Sequence, residues 1–199
     1  MISLDTLAAR LQMYRPRRLS GRKLVARCGV ILLIAQRLDP QDCEPVLLMM
    51  RRAQRVGDPW SGHVSFPGGR VDHRDESTRA AALRELQEET GISANTHLTP
   101  MGRLSDLLTR EHGRLRPMVV SPYVYRTSEA VALEPSLEAA KLWWEPISHL
   151  VDPNRRKPMV WRPVGVPLRV ASVNVGGDRL WGLSLMMVDE LIRATGLRP

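Results

Sequence analysis

The fold class predicted for this chain is α/β, with helices layered on a mixed central sheet, and three observations predict it. Apolar, β-branched runs at 25–34 (VARCGVILLI) and 45–52 (PVLLMMRR) read as two strands of a buried sheet. A well-capped helical segment ends at Gly91, and a second helical pattern covers 182–196 (GLSLMMVDELIRATG). Strands interleaved with amphipathic helices bury both by layering, which defines the class.

Taken in order, Leu4, Leu7, Ala8 and Leu11 recur at helical spacing before Pro16, so 3–13 is a short amphipathic helix that packs on the domain or on a partner. The basic run RPRRLSGRK (15–23) follows and reads as a solvated tail, as NRRKP (154–158) reads as a solvated loop. Turn residues Asp39, Pro40 and Asp42 separate the first two strands, and a loop rich in glycine and proline occupies 57–69. The helix after it starts at Asp75 or Ser77, with Asp75, Ser77 or Thr78 as its cap, and stops at Thr90 because Gly91 suits the C′ position. Ala82, Leu83, Leu86 and Thr90 form its apolar stripe, with Glu85, Glu88 and Glu89 mostly off it. Further strands are expected at 99–106, 116–126 and 139–145; in the last, adjacent Trp143 and Trp144 must face opposite ways. In the final helix Leu183, Met186, Met187, Glu190 and Leu191 mark the packing side.

A chain of 199 residues suits one domain with a substantial core, assigned to 24–199, preceded by a helical and basic extension over 1–23. The formal charge of +8 favours an anionic partner, a phosphorylated metabolite, nucleic acid or an acidic membrane surface, among which charge alone does not choose; the chain carries no nucleic-acid motif or interleaved aromatics. Cys28 and Cys43 cannot build a disulfide framework, and no CxxC or Cys/His pair points to zinc. No apolar run matches a signal peptide or a membrane span, so no membrane partner and a cytoplasmic location are expected. The N-terminal helix and basic run offer a route to a partner or a homodimer.

The chemistry concentrates in FPGGRVDHRDESTRAAALRELQEETGI (66–92). Glu85, Glu88 and Glu89 stand at i, i+3 and i+4, on one helix face, where like charges repel unless something neutralises them. Hard oxygen ligands in that number suit Mg²⁺ or Mn²⁺, which in turn bind phosphate oxygens. The segment resembles the Nudix hydrolases, whose pattern is a glycine, five residues, a glutamate, seven residues, then Arg-Glu-apolar-x-Glu-Glu-x-Gly-apolar. Arg84 to Ile92 match that second half, and seven residues separate Glu76 from Arg84, but six separate it from Gly69, so Asp75 holds the family's spacing from the glycine. Upstream, LLMMRRA, Gly62 and SFPGG (65–69) look like the signature of the coenzyme A pyrophosphatase branch; that signature has an arginine where Asp58 stands, and its spacing is one residue shorter than Arg52 to Gly62.

The resemblance implies a Nudix-type α/β/α sandwich with a mixed central sheet, and a hydrolase that cleaves the phosphoanhydride bond of a nucleoside diphosphate linked to another group. Coenzyme A or acyl-coenzyme A comes first among substrates, with ADP-ribose, dinucleotides or nucleoside triphosphates as alternatives. A non-catalytic nucleotide- or RNA-binding relative of the same fold is the other reading. Glu85, Glu88 and Glu89 would hold the metal, with the Gly68 carbonyl as a further ligand, and Arg84 would orient a carboxylate. Glu85, Glu88, Glu89 and Glu138 are the candidates for general base. Gly69, with Arg51 or Arg52 at a strand end, and His63 in SGHVSFPGG are the substrate-binding candidates, against a solvated edge and an ordinary loop histidine. Trp60 either stacks on a base or packs its loop; Tyr123 and Tyr125 border the cleft or pack the sheet; Arg110 and His112 sit in a hairpin loop with a weaker substrate role.

Overall fold

In a computed structural model the protein is described over residues 3–37, 44–58, 60–92, 97–110, 116–162 and 165–197. Asp39, Pro40, Asp42, Cys43 and His112 lie outside the described residues. The central strand is β1 (Ala26–Gln36), and its apolar run is buried from both faces. Val30, Leu32 and Ile34 point into one cluster with Leu7, Leu11, Val188 and Leu191, while Ile31 and Leu33 point into another with Ala82, Leu86 and Tyr125. Burying each such side chain contributes roughly 1.5–3 kcal/mol, so two-sided burial makes this strand the axis of the fold.

The sheet is mixed. β1 runs parallel to β7 (Pro117–Arg126) and antiparallel to β2 (Pro45–Arg52), but it meets β2 only at Ile34–Gln36. Cys28, Gly29 and Val30 pair instead with β4 (Gly68–Arg70), and the far end of β2 pairs with β3 (Val64–Ser65). The two strands thus fork, and residues 64–70 fill the fork, with the Ile31 N–H donating to the Pro67 carbonyl at 2.9 Å. The glycine loop read from sequence over 57–69 is therefore partly sheet; strands of two and three residues are too short to show periodicity. On the outer edges, β8 (Ala139–Pro146) pairs with β2, and β5 (Thr99–Arg103) and β6 (Leu107–Arg110) share β7.

Helix α2 (Thr78–Thr90) covers one face; α1 (Leu4–Met13) and α4 (Gly182–Thr195) cover the other. Ser77 caps α2 through the Ala80 N–H at 3.1 Å, and Gly91 closes it at φ 73°. After the short helix α3 (Ile147–Val151) come two hairpins, β9 (Met159–Trp161) with β10 (Leu168–Val170), and β11 (Ser172–Val175) with β12 (Asp178–Trp181). Trp143 and Trp144 do face opposite ways, one against each core cluster. Among the described residues no helix is long and apolar enough to cross a membrane.

Four expectations are corrected. The strand expected over 99–106 ends at Arg103, because Asp106 is drawn inward as a hub. Its carboxylate takes the Leu19 N–H at 3.0 Å, the Ser121 hydroxyl at 2.8 Å, Arg22 at 3.1 Å and Arg103, while the Asp106 N–H donates to the Arg17 carbonyl at 2.9 Å. The basic run is thereby clasped to the domain by its backbone and by Arg22, although Arg15, Arg17 and Arg18 still point to solvent. In NRRKP, Arg156 donates to the Leu150 carbonyl at 2.9 Å and pairs with Asp189 at 2.8 Å, so that segment is likewise held. On α4, Met186 is 52% exposed, and Leu185 and Val188 are buried.

Candidate active site

The fork between β1 and β2 brings the glycine pair under α2. Close approach requires the absence of side chains: a Cβ on Gly29 would lie 1.8 Å from the Thr78 carbonyl oxygen, and one on Gly68 would lie 2.4 Å from the Gly29 oxygen. A Cβ on Gly69 would fall 2.2 Å from Glu85 Oε1. Gly29 has no motif to announce it, only an isolated glycine inside a strand pattern, which signals close backbone approach.

The three glutamates of α2 are not equivalent. Glu88 is exposed, Glu85 is half-buried against Gly69, and Glu89 is 2% exposed, with its Oε2 accepting the Gly68 N–H at 2.9 Å. Glu89 thus belongs to the buried side of the helix, not off it as the sequence pattern reads. Burial pushes its pKa up to about 8; the Gly68 N–H and Arg52 oppose this, and the charges of Glu85 and Glu138 add to it. Glu85 is raised as well, first by burial and then by Glu88 and Glu138, against the pull of Arg84. Glu138 stands just before β8, ion-paired to Arg55 at 2.9 Å, and its charge reaches both Glu85 and Glu89. Beneath them the Cys28 thiol is pushed up to about 12 by burial and by the same two glutamates.

Arg84 organises the outer part of the site. Its Nε and Nη2 grip both oxygens of Asp75 at 3.1 Å, Nη2 also donates to the Arg70 carbonyl at 3.2 Å, and Nη1 lies 2.9 Å from both Glu85 and Glu88. The Arg84 pairing holds the Asp75 carboxyl below its usual range, whereas Glu76 is exposed. The residue at the family's spacing from the glycine is therefore the one that meets the arginine, and the extra loop residue falls after it. With Arg84 drawing Glu85 and Glu88, no group of three or more acidic, histidine or cysteine side chains forms a ready-made cation cage among the described residues.

The two arginines of β2 separate, as adjacent strand residues must. Arg51 turns to the α4 face and meets Asp178 at 3.4 Å, away from the glutamates. Arg52 turns to the α2 face, pairs with Asp58 at 2.9 Å, and lowers the pKa of Glu89 by its charge. Arg52 Nε and Ser65 Oγ are buried without a hydrogen-bond partner among the described residues, both on the paired strands β2 and β3. His63 lies between Trp60 and Trp181, and burial lowers its pKa. Tyr125 is buried in the sheet packing, and the Tyr123 and Thr78 hydroxyls are bonded at 2.6 Å. Arg110 is exposed at the end of β6, beside the residues that are not described.

A family model described as the NUDIX domain matches residues 28–162. Over the full length of the chain and 97% of each relative, identity is 30% to the Nudix hydrolase NudL of Citrobacter koseri and 41% to that of Cronobacter sakazakii. Among solved structures, a MutT/nudix family protein from Enterococcus faecalis superposes with a TM-score of 0.55 at 16% identity, covering 97% of this chain and 68% of that one. A C. elegans Ap4A hydrolase complex superposes with a TM-score of 0.51 at 19% identity, covering 62% of this chain and 82% of that one. At those identities the structural likeness speaks to the fold alone.

Proposed function

This chain belongs to the Nudix family of hydrolases acting on pyrophosphate bonds, and on that premise we propose that it is a divalent-metal-dependent enzyme cleaving the phosphoanhydride bond of a nucleoside diphosphate linked to another group. Coenzyme A and acyl-coenzyme A are the first substrates to test, ahead of ADP-ribose, dinucleotides and nucleoside triphosphates. The observation that carries the reading is the convergence of Glu85 and Glu89 on the Gly68–Gly69 backbone, one packed against Gly69 and the other bonded to the Gly68 N–H. The donor set fits Mg²⁺ or Mn²⁺: carboxylate oxygens are hard ligands, and Glu89 is desolvated beside like charges, which a cation would offset. Glu85, Glu88 and Glu89 would hold it, with the Gly68 carbonyl as a further donor. A bound cation would neutralise the diphosphate and lower the pKa of a water.

The remaining roles fall to residues around that centre. Arg84, locked on Asp75, is a positioning residue that aims Glu85 and Glu88. Arg52 acts by its charge on Glu89, whereas Arg51 is engaged with Asp178 on the other face, which favours Arg52 as the substrate arginine. The proton of the attacking water passes to a carboxylate at the site, for which Glu138 is the candidate outside α2, since its charge reaches Glu85 and Glu89 while its side chain stays open to solvent.

The test is a panel of coenzyme A, ADP-ribose, NADH and nucleoside triphosphates, assayed with Mg²⁺ and with Mn²⁺ on wild type, Glu88→Gln and Glu89→Gln. Turnover of one class by wild type, lost in both variants, is the expected result. Equal inactivity of all three proteins across the panel would remove the catalytic assignment.

A further inference from the structure

Three of the five tryptophans lie outside both apolar cores, and they lie together. Trp60, His63, Trp181 and Trp161 form one continuous row, with centroid separations of 5.6, 5.0 and 5.2 Å and interplanar angles of 68°, 61° and 50°. They come from separate parts of the chain: the loop before β3, the junction of β12 with α4, and β9. The two core tryptophans have their indole N–H groups bonded, Trp143 to Glu145 at 2.7 Å and Trp144 to the Val131 carbonyl at 3.0 Å. Trp60 is 42% exposed, and Val160 and Leu168 of the β9–β10 hairpin are exposed as well. Trp60 leaves aromatic surface in water that packing of its loop would have covered, while His63, Trp181 and Trp161 stand half-buried behind it.

The row is tied to the candidate active site through Arg52. Its N–H donates to the His63 carbonyl at 3.0 Å, its carbonyl accepts the Gly62 N–H at 3.2 Å, and its guanidinium holds Asp58, whose other oxygen takes the Trp60 N–H at 2.9 Å. Arg52 is also the residue whose charge acts on both Glu89 and His63. Arg52 thus links the glutamates, which feel its charge, to the loop that carries Trp60 and His63, which its backbone and Asp58 hold.

We propose that the Trp60–His63–Trp181–Trp161 row is the subsite for the nucleobase of the substrate, a planar ring stacking on Trp60 while its phosphates lie toward Arg52. The proposal rests on the nucleotide-hydrolase reading and names which end of the substrate goes where. Stacking on an aromatic side chain tolerates any base, because every base has a π-face, so this subsite selects for a base without choosing which.

The test is a calorimetric titration of the full chain, free of divalent metal, with AMP and with ribose 5-phosphate, which lacks the base. Wild type is expected to bind AMP at least about tenfold more tightly than ribose 5-phosphate, Trp60→Ala to lose that difference, and Trp60→Phe to keep most of it. Trp161→Ala serves as the second variant if Trp60→Ala does not fold. Equal binding of the two ligands by wild type, or a preference for AMP that survives removal of Trp60, overturns the proposal. So does equal weakening of both ligands by Trp60→Ala, which would mean the loop had collapsed. Because the titration needs neither metal nor turnover, an intact AMP preference in a protein inactive on every substrate would sink the hydrolase reading and leave the base subsite standing.

Discussion

Glu89 and Asp106 are carboxylates buried almost alike, at 2% and 1% exposure, and the fold treats them in opposite ways. Burial pushes Asp106 up, but the Ser121 hydroxyl, the Leu19 N–H, Arg103 and Arg22 outweigh it and hold its pKa below the usual range. Glu89 has one side-chain hydrogen bond among the described residues, from the Gly68 N–H, and its acidic neighbours push the same way as burial. A buried carboxylate supplied with donors at both oxygens serves as a clasp. One given a single donor and like-charged company is left short of positive charge, a deficit that the proposed cation would fill.

The contrast is broken most sharply by removing each carboxylate. Asp106→Ala leaves Arg22 and Arg103 facing a void and frees the 17–22 segment, so the unfolding free energy should fall by about 3–5 kcal/mol, read from denaturant midpoints. A loss near zero would mean that the clasp contributes nothing. Glu89→Gln should do the reverse: metal-free stability within about 1 kcal/mol of wild type or higher, and turnover down at least about a hundredfold. A smaller effect is expected at the outer layer, where Asp75→Asn releases Arg84 and should slow turnover about ten- to a hundredfold, while Glu76→Gln leaves the rate unchanged. If Glu76→Gln proved the slower enzyme, the assignment of Asp75 as the arginine's partner would be reversed.

Acidity gives the finest separation. The folded-state pKa of Asp106 is lowered, so its stabilisation is present above the ordinary carboxylate range and is lost as pH falls through its folded value. Glu89 is raised to about 8, so in metal-free protein its contribution is intact at acid pH and is lost as pH rises through that value. Melting temperatures followed from about pH 6 to about pH 9 should decline in metal-free wild type, decline less in Glu89→Gln, and be restored by Mn²⁺. An identical slope in both proteins would detach the basic limb from Glu89.

Much of this was readable in the chain. The run VILLI announced a strand buried on both faces, and β1 is that strand; the cap and stop of α2 fell at Ser77 and Gly91, because capping is local chemistry within a few residues. The set Glu85, Glu88 and Glu89 was visible from spacing, as was the ambiguity between Asp75 and Glu76. The hairpin of β11 and β12 was missed despite its Gly176–Gly177 turn, and β3 and β4 were missed because strands of two or three residues carry no pattern. His63 was identified singly; that it stands between two tryptophans more than a hundred residues apart in the chain, Trp60 and Trp181, was not visible in any window.

By itself the sequence determined what depends on neighbours along the chain: the acidic helix face, its caps, the glycines before it, and through them the family and the class of reaction. Only the tertiary structure decided which of three adjacent glutamates is buried, which of two adjacent arginines faces them, and that a basic tail is clasped by Asp106. The physical reason is that charge and burial act through space. A carboxylate's pKa, a guanidinium's partner and the exposure of an aromatic row are set by groups that the sheet's fork and the two hairpins bring together from distant parts of the chain.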